Sequence, residues 1–156
     1  MASWKRGFTL GELLVVLALF GTLTAIALPH WTALLPSYRL NSAARQVQSE
    51  LHRIKRQAAS ENTGFRMVFS PAKDRYEIQR NLGTSAAPDY QTTGEIKPLP
   101  EWICILEGVT ISFTSRGTAS SGTVRLCSSN GSGAHVIVSG TGRVRIVKLD
   151  ACGGMC

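Results

Sequence analysis

The first feature of the chain is a long apolar stretch close to its N-terminus. Residues 8–28 carry a single ionisable side chain, that of Glu12. A helix of about 20 apolar residues crosses the hydrocarbon core of a bilayer, so the stretch predicts a transmembrane helix. A carboxylate in such a segment costs about 2.5–3.5 kcal/mol on insertion, which marks Glu12 as a functional residue. Pro29 follows and is expected to kink or interrupt the helix.

An amphipathic stretch comes next. Between residues 40 and 58 apolar side chains recur at intervals of three and four positions, which predicts a helix with one apolar face. This face is expected to pack on a β-domain, with a coiled-coil partner as the alternative. Asn62 and Gly64 are typical helix stops. The apolar stripe consists of Leu40, Ala44, Val47, Leu51, Ile54 and Ala58.

Beyond Gly64 the pattern changes to short segments of alternating apolar and polar residues, which predict β-strands. The pair Asn130-Gly131 indicates a tight turn between two of them. Residues 81–100 are rich in glycine, proline, serine and threonine and are expected to form a long connection. The predicted strands are residues 65–70, 75–80, 102–106, 109–113, 123–127, 135–138 and 143–149.

The residues that precede the apolar run and begin it follow a distinctive order. Lys5 and Arg6 stand before Gly7, Phe8 and Glu12 in the string KRGFTLGELLVVLALFGTL. This string resembles the leader and mature N-terminus of type IV pilins and type II secretion pseudopilins. The resemblance implies cleavage by a prepilin peptidase after Gly7 and N-methylation of Phe8. It also implies that Glu12 contacts the amino group of a neighbouring subunit during assembly.

Two other interpretations of this segment remain open from the residues alone. A secretory signal peptide would be cleaved near residues 25–27, and a plain signal anchor would leave Glu12 without a role. In either membrane-anchored case, Lys5 and Arg6 hold the N-terminus in the cytoplasm. The C-terminal domain then lies outside the cytoplasmic membrane.

A second resemblance lies near the C-terminus. The string HVIVSGTGRVRIV, residues 135–147, resembles the C-terminal signature of the GspH/FimT family of H-type pseudopilins and FimT- or FimU-type minor pilins. Together the two resemblances imply a pilin-like α+β fold, with a long N-terminal transmembrane and amphipathic helix before a small, mostly antiparallel β-domain. The expected divisions are a cleaved leader over residues 1–7, a transmembrane half-helix over 8–28, an amphipathic half-helix over 29–62 and a β-domain over 63–156. The expected partners are other pilins or pseudopilins, the peptidase and the inner membrane.

Four cysteines lie in the last third of the chain, at Cys104, Cys127, Cys152 and Cys156. An even number in an exported domain predicts two disulfides, with three possible connectivities. We favour Cys104–Cys127 inside the fold and Cys152–Cys156 across a small terminal loop. The absence of a C-x-x-C pair or a nearby histidine in the sequence disfavours the rival interpretation, a zinc site.

The charge of the chain is basic and unevenly distributed. The sequence has 17 basic and 10 acidic residues, and residues 108–149 contain no acidic residue at all. Such a segment is consistent with an anionic partner. Its basic residues are Arg116, Arg125, Arg143, Arg145 and Lys148.

Two of these arginines alternate with aliphatic residues. A strand over residues 143–149 would place Arg143 and Arg145 on one face, about 6.6 Å apart. Arginine suits phosphate because its guanidinium is a planar, bidentate donor. FimT-type minor pilins of natural transformation carry a Gly-Arg-x-Arg motif that contacts DNA, and Gly142, Arg143 and Arg145 match it residue by residue. The resemblance therefore implies DNA binding, with Lys148, Arg125 and Arg116 as further candidates.

Other functions compete with DNA binding. The arginines could form a solvated strand face or ion pairs with a neighbouring pilin, and an H-type pseudopilin of a secretion system shares the leader and the β-domain. An enzyme is disfavoured because His30, His52 and His135 are far apart in sequence. The sequence also has no nucleophile elbow, metal-ligand spacing or phosphate-binding loop. No cofactor is expected.

Overall fold

The computed structural model describes residues 9–84 and 87–153, and the side chains of residues 26–34 are not among those described. The chain divides into two compact units, Met1–Leu35 and Pro36–Cys156. The predicted cleavage and methylation residues, Gly7 and Phe8, lie outside the described residues, as does Cys156.

One long helix, α1, runs from Leu10 to Ser60. Of the two effects expected of Pro29, a kink or an interruption, the interruption does not occur, because the helical backbone continues through that position. A proline removes one backbone hydrogen bond and crowds the carbonyl four residues earlier, and a long helix accommodates this locally without ending. The helix ends close to the predicted stop, where Asn62 adopts a left-handed backbone with φ of 48°.

In the first unit, the apolar side chains of α1 are exposed all along the described stretch. Leu10, Leu14, Leu17 and Phe20 are each more than half exposed. No helix among the described residues is both long and apolar enough to cross a membrane. The transmembrane segment predicted over residues 8–28 extends beyond the described side chains at both ends.

In the second unit, α1 packs on the β-domain as the stripe predicts. All six stripe residues are buried, with at most 5% of any side chain exposed. They join a hydrophobic core with apolar residues of both sheets, including Phe65, Tyr76, Ile111 and Val136. Burial of this face, rather than helix propensity alone, holds this part of α1 in place.

Within the described part of the chain, eight strands form two four-stranded sheets in which the paired strands are antiparallel. The first sheet has the order β3-β2-β1-β5, and the second has the order β4-β6-β7-β8. A 3-10 helix over Pro71–Lys73 joins β1 to β2. The strands are β1 Phe65–Ser70, β2 Arg75–Asn81, β3 Tyr90–Pro98, β4 Ile103–Glu107, β5 Ile111–Phe113, β6 Gly122–Ser128, β7 Gly133–Val138 and β8 Val144–Leu149.

The strand predictions are confirmed except in one segment. Residues 81–100 do not form a long connection, because Tyr90–Pro98 is strand β3. This strand is at the edge of its sheet, and none of its residues is fully buried. An edge strand with little burial needs no apolar alternation, so its sequence resembles a loop. The predicted turn at Asn130-Gly131 is present between β6 and β7, with φ of 83° at Gly131.

The disulfide pairing differs from the favoured one. Cys127 is bonded to Cys152, so the pairs Cys104–Cys127 and Cys152–Cys156 are both wrong. Cys104 does lie directly opposite Cys127 in the β4–β6 register. However, the tail after β8 returns across the sheet, where the N–H of Cys152 donates to the carbonyl of Gly131 at 2.7 Å. Cys104 is also disulfide-bonded.

Candidate nucleic-acid interface

Arg116 lies in a tight turn that follows β5. The N–H of Thr114 donates to the carbonyl of Thr118, and the N–H of Gly117 donates to the carbonyl of Thr114, each at 2.9 Å. Gly117 has φ of 80°, a conformation that glycine adopts without steric cost. The turn holds the backbone of Arg116 in place and leaves its side chain exposed.

Arg143 closes the loop that joins β7 to β8. The N–H of Ser139 donates to the carbonyl of Arg143 at 3.0 Å, and the N–H of Gly142 donates to the carbonyl of Ser139 at 2.8 Å. The Ser139 hydroxyl accepts a hydrogen bond from the N–H of Arg143 at 3.2 Å. It also forms a hydrogen bond with the hydroxyl of Thr141 at 2.9 Å. These bonds fix where Arg143 leaves the loop.

The two loops meet through their glycines. A Cβ atom on Gly142 would lie 2.5 Å from the carbonyl oxygen of Gly117, so no larger residue fits at this position without a shift of backbone. The N–H of Ala119 donates to the carbonyl of Gly140 at 3.0 Å. Lys55 of α1 reaches the same place, where its Nζ donates to the carbonyl of Gly142 at 3.0 Å. The glycine of the predicted motif therefore has a structural role in joining two loops to a helix.

The two loops and Lys55 together form a basic surface, which we call the basic end. It consists of Lys55, Arg116, Gly142, Arg143 and Arg145. The three arginines are exposed, while Val144 between two of them is buried. Within residues 9–84 and 87–153, none of the three arginines forms an ion pair. Their guanidinium groups are therefore available to an external anion.

Two other predicted residues are not part of the basic end as defined above, although Arg125 leaves the same face of the sheet as Arg145, two strands away. The Nε of Arg125 is 3.1 Å from a carboxylate oxygen of Glu107, which partly neutralises its charge. Lys148 follows Arg145 by three positions on β8, and successive strand residues alternate between faces, so it leaves the opposite face of the sheet. There it lines a notch beside α1 with Arg45.

The sequence did not indicate that Lys55 belongs to the basic end. Its contact with Gly142 joins residues that are 87 positions apart, and no local pattern encodes such a contact. Lys55 lies seven residues after Gln48, which places both on one side of α1. Gln48 Nε2 lies 3.4 Å from the carbonyl oxygen of Val144, so this side of the helix follows β8.

The acidic side chain of Glu50 contacts β3 rather than the basic end. It accepts hydrogen bonds from Arg53 at 2.8 Å and from Lys97 at 2.5 Å. Burial raises the pKa of Glu50, but the bonds from Lys97 and Arg53 outweigh burial and leave the pKa below its ordinary value of 4.5. Hydrogen bonding to Glu50 raises the pKa of Lys97 despite partial burial.

Glu12, the predicted assembly residue, has a local partner in the structure. Its carboxylate accepts a hydrogen bond from the N–H of Thr9 at 3.2 Å, and the Thr9 hydroxyl accepts one from the N–H of Glu12 at 3.2 Å. This reciprocal pair is a capping box at the start of α1. The spacing Thr-x-x-Glu was a readable sequence signal for it.

Comparisons with known families agree with this architecture. A sequence model of the family described as type II transport protein GspH matches residues 43–142. A model of the prokaryotic N-terminal methylation motif matches residues 5–28. No curated protein matches the chain.

Solved structures with a similar fold include a minor pseudopilin and a minor pilin. The minor pseudopilin EpsH of the type 2 secretion system of Vibrio cholerae has a TM-score of 0.58 at 13% identity, over 70% of this chain and 97% of that one. The type IV minor pilin FimU of Pseudomonas aeruginosa has a TM-score of 0.53 at 18% identity, over 74% of this chain and 96% of that one. The fold is thus shared with both. By the family match over residues 43–142 and the motif at its N-terminus, the chain belongs to the GspH family of the type IV pilin and pseudopilin superfamily.

Proposed function

We propose that this protein is a minor pilin that joins a type IV pilus-like filament and binds DNA through the basic end. It is made as a precursor, cut by a prepilin peptidase after Gly7 and methylated on Phe8. The apolar part of α1 anchors it in the inner membrane and later packs among the helices of other pilins. Two observations support this route: the methylation motif over residues 5–28 and the exposed apolar side chains of α1.

The DNA role rests on the way the fold assembles the basic end. The contact between Gly117 and Gly142 brings the loop of Arg116 beside the loop of Arg143. The arginines of both loops are exposed and have no acidic partner among the described residues. If these arginines served internal ion pairs, acidic partners would lie beside them. Unpaired arginines on a fixed backbone instead suit the phosphates of an external nucleic acid.

The chemistry of the surface favours contact with the DNA backbone. None of the five residues of the basic end is aromatic, so base stacking of the single-strand type has no platform there. Binding through phosphates is independent of sequence and weakens steeply with salt, because each neutralised phosphate releases counterions. The proposed ligand is therefore duplex DNA of any sequence.

The test is a DNA-binding measurement on residues 36–156 at several salt concentrations, with a fluorescent duplex. The double variant Arg143→Ala with Arg145→Ala should lose about tenfold in affinity. Its slope of log affinity against log salt should fall by about 1.8, which corresponds to two lost phosphate contacts. The matched control is Lys73→Ala with Arg75→Ala, at the turn between β1 and β2, which removes the same charge elsewhere.

The two double variants together decide the question. If both lose affinity equally, only net charge matters and the basic end has no special role. If the arginine variant binds like the wild type, the DNA proposal is wrong.

An H-type pseudopilin of a type II secretion system is the second candidate. The family match to type II transport protein GspH and the structural similarity to EpsH favour it. In that case the arginines of the basic end contact a neighbouring subunit, and the chain has no DNA role. The genes beside the coding sequence discriminate between a pilus operon and a secretion operon.

A further inference from the structure

A second basic site lies between α1 and β8, at the far end of the strand from Arg143. It is a notch of about 400 Å³, lined by two cations, two amides and an aliphatic residue. We call it the β8 notch. Its lining residues are Asn41, Arg45, Gln48, Ile146 and Lys148.

The backbone of β8 turns unpaired donors towards this notch. β8 is the edge strand of its sheet and pairs only with β7 among the described strands. The bond from Ser139 to Arg143 makes these two residues a hydrogen-bonded pair. In an antiparallel ladder such pairs alternate with pairs whose N–H and C=O groups point away. The main-chain groups of Val144, Ile146 and Lys148 therefore point to the free edge, and the contact of Gln48 with the Val144 carbonyl agrees.

The notch combines donors with positive charge. Arg45 and Lys148 are exposed, and neither forms an ion pair with a residue in the described part of the chain. The side-chain amides of Asn41 and Gln48 each donate one hydrogen bond to a backbone carbonyl, that of Ser37 or Val144, and each has a second N–H for a ligand. No carboxylate lines the notch. The nearest acidic residue on this part of α1, Glu50, is held by Arg53 and Lys97. A site with several donors, two cations and no anion suits a tetrahedral oxyanion.

We propose that the β8 notch binds a phosphate group, with Arg45 and Lys148 as its charged ligands and the N–H of Ile146 as a main-chain donor. The source of that phosphate rests on the proposed function: it is the backbone of the same DNA that contacts the basic end. Lys148 follows Arg143 by five residues, or about 16 Å of strand. Arg143 and Lys148 leave opposite faces of the sheet, but β8 is its edge strand, so a duplex that lies along this edge passes both sites.

The notch is tested first without DNA. The full chain, kept in solution by a non-ionic detergent, is titrated with inorganic pyrophosphate and followed by NMR. The backbone amide of Ile146 and the side-chain amide of Gln48 should shift and saturate together. Arg45→Ala with Lys148→Ala should weaken this binding about tenfold, since hydrogen bonds to charged groups are lost. Both residues are exposed, so the variant is expected to fold.

The control is Lys73→Ala with Arg75→Ala, which should leave the pyrophosphate titration unchanged. Saturable shifts at Ile146 that the notch variant does not weaken would overturn the site. An absence of shifts at these two amides in the wild-type protein would also overturn it.

A second pair of measurements identifies the source of the phosphate. With duplex DNA, the notch variant should lower the slope of log affinity against log salt by about 1.8, independently of the arginines of the basic end. With phosphatidylglycerol vesicles, the notch variant should bind like the wild type. A loss of vesicle binding with unchanged DNA binding would assign the notch to a lipid headgroup and overturn the DNA source. If the wild type binds no DNA, the proposed function fails, while the pyrophosphate titration still decides the notch.

Discussion

At the scale of single residues, Glu12 combines a local bond with a proposed role in assembly. Its carboxylate closes the capping box with Thr9, which satisfies a backbone donor at the start of α1. The pilin resemblance assigns the same carboxylate to the amino group of a neighbouring subunit. Glutamine also completes a capping box, so the negative charge and the cap can be separated by substitution.

We predict that Glu12→Gln and Glu12→Ala both stay in the membrane fraction and are both absent from sheared filaments. The reason is that each removes the charge that pairs with the neighbouring amino group, although only alanine removes the cap. Immunoblotting of sheared filaments measures incorporation, and mass spectrometry of the wild type should show Phe8 as its first residue. Incorporation of the glutamine variant at the wild-type level would show that Glu12 acts as a helix cap alone.

Contacts between residues that are distant in sequence were the hardest to predict. The stripe from Leu40 to Ala58 was readable because helical periodicity is local, and all six of its members are buried. The partner of Cys127 was not readable, because it depends on how the tail after β8 returns across the sheet. Lys55 was missed for the same reason.

At the scale of elements, α1 and β3 are joined by charged side chains. Glu50 of α1 bonds Lys97 of β3, and Arg53 of α1 bonds both Glu50 and Glu95. This attachment explains why β3 escaped prediction. The strand is held partly by polar contacts at an edge and needs few apolar residues. The buried strands β1 and β7 alternate clearly and were predicted within two residues of their observed ends.

The ion pairs of Glu50 with Arg53 and Lys97 predict that the stability of the fold depends on pH. The folded pKa of Glu50 is below 4.5, so its carboxylate stabilises the fold above that pH. The contribution is lost as the pH falls through the folded pKa, where the carboxylate is protonated. Glu50→Gln should lower the free energy of unfolding by about 1 kcal/mol at neutral pH, because its cationic partners are partly exposed. The variant should also lose less stability than the wild type on acidification.

Urea unfolding at neutral pH and at a pH below 4.5 measures both effects. Glu107→Gln is the matched control, because its ion pair with Arg125 has both side chains more than half exposed. If the free energy of unfolding depends on pH identically in Glu50→Gln and the wild type, the ion pairs of Glu50 are not a source of acid sensitivity.

At the scale of the whole molecule, the second unit has two distinct ends. Asn41 of α1 lies beside Lys148, and Lys55 lies beside Gly142, so the helix runs antiparallel to β8. The basic end therefore lies at the end of the unit where α1 terminates. The fold class and the family could be predicted from short sequence motifs near the two ends of the chain. The position of the basic end was not, because it depends on the meeting of two loops with a helix.

The basic end is proposed to bind DNA while the subunit is part of a filament. The most direct measurement is the transformation frequency of cells that carry Arg143→Ala with Arg145→Ala, together with the amount of the variant in sheared filaments. We predict normal incorporation and a loss of transformation of at least about tenfold, in line with the loss of two phosphate contacts. Cells with Lys73→Ala and Arg75→Ala should transform normally. Unchanged transformation in the arginine variant would contradict the account.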